Sequence, residues 1–129
     1  MVKRGNEYYT WEASLEKNRA YLTCMGSVPS VDAIPNFESD CKKTANELKT
    51  GWSVLGNFLN QEGKLPPDVE KIHSKAQQYC MTHGCIAAAQ VAPIEVIVQI
   101  NKFSKESGMK EVLKGFHTVN AAESWLDTK

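Results

Sequence analysis

The sequence predicts an all-α fold, a single compact domain of five or six helices around a central amphipathic helix over about residues 37–62. Three observations carry that prediction. Between residues 37 and 59 the apolar side chains Cys41, Ala45, Leu48, Trp52, Leu55 and Leu59 advance in steps of 4, 3, 4, 3 and 4. A helix of 3.6-residue period places such residues on one stripe. Gly26, Gly63, Gly84 and Gly108 each follow a periodic segment, and glycine ends helices because it takes the left-handed conformation without steric cost. Residues 94–100 alternate like a strand, but the chain offers no convincing second strand to pair with them, so they too are read as helix.

Taken in order, residues 1–9 read as a flexible N-terminal segment. Residues 11–25 read as a first helix, with Trp11, Leu15 and Leu22 on one side, Thr10 as its cap and Gly26 as its stop; Asn18 interrupts that stripe. Pro29 and Pro35 mark residues 26–35 as a loop, after which Asn36 caps the central helix. Gly51 and Gly56 lie inside that helix at about 1 kcal/mol each relative to alanine, which close approach of another helix would explain. Pro67 suits a first helical position, where its missing N–H is no loss, and Val69, Ile72, Ala76 and Tyr79-Cys80 continue to Gly84 at helical spacing. Residues 86–92 suit a short buried helix, and a further helix starts at Pro93. Residues 109–116 and 120–126 close the chain as two short helices, the second with Asn120 as its cap.

Composition narrows the function classes. The chain has 129 residues, 42% of them hydrophobic and 23% charged, the profile of one soluble globular domain. Fifteen acidic and fifteen basic side chains cancel, so net charge argues for neither nucleic acid nor an anionic membrane. No apolar run approaches the length of a membrane span. Glu7, Tyr8 and Tyr9 stand where a signal peptide needs an apolar stretch. A cytoplasmic location is the expectation, and a mature secreted domain fits the same residues.

The sharpest chemical cluster is Cys80-Met81-Thr82-His83-Gly84-Cys85. Cys80, His83 and Cys85 offer zinc three ligands of the right type, with His73, Cys24 or Cys41 to complete a set; C-x-x-H-x-C is, however, no standard zinc spacing. Four cysteines equally allow two disulfides, though the missing signal sequence favours reduced thiols. A Cys–His nucleophile pair lacks any sign of an orienting group or oxyanion site. The Gly51–Gly56 segment has its second glycine one residue late for a nucleophile elbow. No glycine-rich phosphate loop is present. No catalytic residue and no resident cofactor are therefore assigned, and the chain is read as not an enzyme. Lys102, Lys105, Lys110 and Lys114, near Phe103 and Phe116, are the candidates for neutralising nucleic-acid phosphates, with Glu106 and Glu111 interleaved among them.

In gross outline a five- or six-helix domain of this size resembles viral matrix domains and death-fold modules, with no shared motif. The leading expectation is a non-enzymatic helical interaction or structural module acting through protein–protein contacts, self-association (a homo-oligomer) among them. A nucleic-acid-binding structural protein of matrix or nucleocapsid type is the first alternative. A disulfide-braced helical carrier of an apolar small ligand is the second.

Overall fold

The computed structural model describes residues 2–129. It is an α/β fold, so the all-α helical bundle is overturned. Six strands form one sheet in sequential order: β1 (Lys3–Gly5), β2 (Tyr9–Ser14), β3 (Arg19–Gly26), β4 (Trp52–Gln61), β5 (Cys85–Val91) and β6 (Leu113–Phe116). The pairs β1–β2 and β2–β3 are antiparallel, while β3–β4, β4–β5 and β5–β6 are parallel. Each parallel step is bridged by a helix: α1 (Phe37–Ala45), α2 (Pro67–Thr82) and α3 (Ile94–Ser107). A last helix, α4 (Val119–Leu126), follows β6.

Right-handed crossovers in a steadily advancing sheet put every connecting helix on the same side. The core bears this out. Phe37 and Cys41 of α1, Val69 and Ala76 of α2, and Val96 and Ile100 of α3 pack with Trp11, Leu22, Val54, Phe58 and Ala88 from one face of the sheet. On the opposite face Leu55, Ala87, Ala89 and Val91 meet Ala122 and Leu126 of α4. One face of the sheet thus carries a layer of three helices and the other face a single helix.

The central helix of 37–62 is the largest correction. Its first third is helical, with Phe37, Cys41, Thr44 and Ala45 turned inward. The chain then turns at Gly51, which has φ +95°, and runs on as β4. Trp52, Val54, Gly56 and Phe58 face the helix layer at a period of two, while Ser53 and Leu55 face the other way. Both faces are covered, so no polar alternation appears and the apolar positions mimic a helical stripe. The Gly51 and Gly56 that looked out of place in a helix lie in the turn and in the strand.

The predicted helix over 11–25 is a hairpin. Trp11 and Ala13 of β2 point inward beside Ala20, Leu22 and Cys24 of β3. Asn18, the residue that broke the helical stripe, sits at the turn with φ 53°. Its carboxamide accepts from Lys49 N–H at 2.9 Å and donates to Lys49 C=O at 3.1 Å, fixing the turn that feeds β4. Residues 3–5, within the segment expected to be flexible, pair with β2. Residues 85–91 form a strand, not a short helix, and residues 113–116 form the edge strand.

Three elements fall where the spacing put them. α2 begins at Pro67 and ends before Gly84. α3 begins after Pro93 and ends at Gly108, with φ 85°. α4 occupies the end of the chain, but its cap is Thr118, whose Oγ1 accepts from Ala121 N–H at 3.1 Å, and the expected cap Asn120 lies inside the first turn. None of the helices among the described residues is long and apolar enough to cross a membrane.

Candidate functional site

The feature that sets this core apart is a cavity between the sheet and the helix layer. Small residues make it. Gly56 of β4 and Ala88 of β5 face inward opposite Ala76 of α2, and larger side chains close the rim: Trp11, Leu22, Phe37, Val54, Phe58, Ile100, Met109 and Leu113. The volume is about 50 Å³. Native interiors are otherwise close-packed, so a void of this kind needs an occupant or costs stability.

Three polar residues in the wall give the cavity its chemistry. His73 of α2 packs against Phe37, with ring centroids 4.5 Å apart, and against Phe58 and Phe103 at 5.9 Å each. Burial pushes its pKa down from 6.5 to about 3, so the imidazole is neutral at physiological pH. A neutral imidazole keeps one donor and one acceptor, and neither takes part in a side-chain hydrogen bond among the described residues. Trp11 is buried with its indole N–H unpartnered, and the side-chain oxygen of Gln90 is likewise buried without a partner. Unsatisfied groups of this kind are few in native proteins, because each carries a desolvation penalty of roughly 1–3 kcal/mol. Two of them in one cavity wall call for an explanation. Gln77, also in the wall, is spent: it donates to Ser104 Oγ at 2.9 Å and accepts from Ser107 Oγ at 2.7 Å, tying α2 to α3.

The sequence-predicted zinc residues diverge. The Cys80 thiol turns into the core 3.9 Å from Cys41 Sγ, and Cys85 points inward toward the Ala87 carbonyl. His83 is exposed and stacks on Tyr79 at 3.7 Å, its Nδ1 engaged with the Tyr79 carbonyl. No three His, Cys, Asp or Glu side chains among the described residues form a group able to hold a metal ion. All four cysteines are free thiols. The hydrogen bond to Cys41 and then burial hold the Cys80 thiol well above its usual range, and burial pushes Cys85 up to about 12. Protonated, buried thiols are poor nucleophiles and poor metal ligands.

The four candidate lysines do not share a face. Lys102 and Lys105 lie on the helix layer, Lys102 beside Lys71, Glu70 and Glu106 in a shallow surface groove. Lys110 sits in the turn before β6. Lys114 reaches to the other side of the sheet, over Phe116 at 5.5 Å and Trp125 of α4 at 5.8 Å.

That opposite side is held by a second polar cluster. Arg19 on β3 is buried; it donates to Ser53 Oγ at 2.9 Å, pairs with Glu123 of α4 and reaches Asp127 at 3.1 Å. The Tyr21 hydroxyl lies 2.9 Å from each Glu123 oxygen. Burial alone would lower the guanidinium pKa, but the bonds to Glu123, Tyr21 and Asp127 outweigh it and leave the pKa raised. Burial, reinforced by Glu123, also moves the Tyr21 phenol up to about 12. Every member is partnered within the protein, so the cluster is a clasp for α4.

Sequence reasoning passed over the residues that matter here. His73 entered only as a spare zinc ligand, and Trp11 only as part of the apolar side of the expected first helix. The signal that could have found the cavity is the set of small residues, Gly56, Ala76 and Ala88, which meet only once the strands are in register. The fold and cavity define an α/β protein with a single sheet covered by helices on both faces and a site between the sheet and helices α1–α3. No family model matches the chain, and none of the curated proteins compared with it is similar in sequence.

Proposed function

We propose that this protein is a non-enzymatic binder of a small, largely apolar molecule, taken up between the sheet and helices α1–α3. The observation that carries this reading is the cavity itself: a mostly apolar wall that includes a few polar residues, two of which carry a buried side-chain atom without a partner. Small-molecule sites have that composition. The chemistry of the wall supports binding over catalysis, since the bond to Cys41 and burial hold the Cys80 thiol protonated, and burial makes the His73 imidazole a weak base.

Xenon tests the reading, because a single apolar atom can enter a small dry cavity without rearranging it. Saturable shifts of the Ala76, Ala88 and Ile100 methyl resonances under xenon are expected. Ala76→Leu, which fills the space with three more carbons, abolishes them while the protein stays folded at a loss of about 1–3 kcal/mol. A wild-type protein whose methyls ignore xenon sinks the proposal.

A protein partner is the second reading, favoured by Ile94 and Val98. They lie one turn apart on α3 and are 74% and 64% exposed. Two side chains fall far short of the roughly 800 Å² per partner of a stable interface, so weak association is what they support. Sedimentation that depends on concentration, and no longer does in Ile94→Asp, would put this reading first.

A further inference from the structure

We infer that the open edge of the sheet at β6 is an interface for a second copy of this chain, joined across a twofold axis through Gly115 so that the two sheets run on as one. The inference rests on the partner reading above and supplies its partner; it is independent of the cavity.

Two uncovered surfaces meet at that edge. β6 pairs on one side only, with β5, and no backbone bond runs outward from residues 113–116 among the described residues. Lys114 and Gly115 are exposed. Such an edge is a template for another strand. α3 stands above it: the Ile97 side chain lies 3.6 Å from where a Cβ at Gly115 would stand. Side chains step round a helix by about 100° per residue. Those of α3 run from Phe103, whose carbonyl accepts from Ser74 of α2, through Val96 and Ile100 in the core, to Ile97 over β6. Ile94 and Val98 come next in that rotation. The exposed apolar pair therefore lies on the flank turned away from α2, on the side of the open edge.

This combination selects the occupant. A single added strand would pair the edge and leave Ile94 and Val98 bare. A second copy brings its own α3 at the same height and covers both, by the self-complementary contact of a twofold dimer. Side chains then set the register. Opposed residues of an antiparallel pair share a face, so the axis passes through a residue of β6, and the longest ladders centre on Lys114 or Gly115. Centred on Lys114, two ammonium groups stand opposite one another, which is destabilising. Centred on Gly115, Lys114 stands opposite the partner's Phe116, the same kind of contact it makes with its own Phe116 ring at 5.5 Å. The paired glycines meanwhile leave room beneath Ile97 of each copy. Lys114 thus guards the edge against one register and favours the other.

Sedimentation velocity between about 1 μM and 1 mM is expected to show monomer and dimer in exchange. Val98→Asp, at an exposed position, stays folded and weakens the dimer at least about tenfold. The register is read by Gly115→Cys and Lys114→Cys, each oxidised with copper–phenanthroline. Gly115 has no positive φ, and a Cβ there meets Ile97 only at ordinary contact distance, so cysteine is accommodated. Only a residue on the axis meets its own copy, with Cβ atoms about 4.5–5.5 Å apart. Gly115→Cys is therefore expected to cross-link into dimers, with Lys114→Cys lagging well behind; the native thiols are buried and add no background. A wild type that stays monomeric throughout overturns the inference and the partner reading together. Self-association in which Lys114→Cys cross-links as readily as Gly115→Cys, or in which neither does, overturns the inference and leaves the partner reading standing.

Discussion

Acid destabilises this protein through His73. The folded-state pKa is depressed from 6.5 to about 3 by burial, so below pH 6.5 the unfolded chain binds a proton that the folded one refuses. Stability from this source is whole above pH 6.5 and falls with pH until about 3. The slope is about 1.4 kcal/mol per pH unit, on the order of 5 kcal/mol in all. That rivals the whole stability of a typical domain. His73→Phe keeps the ring packed against Phe37 and removes the titration. Urea unfolding at pH 7, 5.5 and 4.5 is the measurement. The wild type is expected to lose about 3 kcal/mol relative to the variant between pH 7 and 4.5; parallel curves would show that His73 is not held neutral by burial.

The second large effect belongs to Arg19. Its side chain is 4% exposed and its partner Glu123 is 25% exposed. Deleting one member of a fully buried pair costs roughly 3–5 kcal/mol, and the partial exposure of Glu123 lowers the expectation for Arg19→Ala to about 2–3 kcal/mol. The loss should be local first: the amides of α4 exchange faster than those of β4 and β5, and the emission of Trp125 moves to the red. Lys17, whose nitrogen is 3.6 Å from Glu123 at 42% exposure, is the control, with Lys17→Ala changing stability by less than about 0.5 kcal/mol. Equal effects of the two substitutions would mean that the clasp is an ordinary surface pair.

How much could be read from the residues follows from how each element meets water. α2 and α3 were legible because one face of each is exposed and because Pro67, Gly84, Pro93 and Gly108 punctuate them. The inner strands were not. β5 reads Cys85-Ile86-Ala87-Ala88-Ala89-Gln90-Val91, and helices cover both its faces. It shows no alternation, and its alanines favour a helix by intrinsic propensity. β4 hid for the same reason, behind an accidental match of Leu48, Trp52, Leu55 and Leu59 to a helical stripe. The cavity was illegible in principle. It exists because Gly56, Ala76 and Ala88 come from three elements and meet only in the assembled register, and no local pattern encodes that meeting.

The clasp also bears on the order in which the chain can mature. Arg19 and Glu123 are 104 residues apart in sequence. Until α4 docks, a sheet formed from β1 to β6 holds a guanidinium with no carboxylate to neutralise it. The face that α4 will cover, with Leu55, Ala87, Ala89 and Val91, is bare over the same interval. Docking of α4 supplies the counter-charge and the apolar cover in one step, so a chain truncated before Glu123 would leave Arg19 unpaired and that apolar face bare.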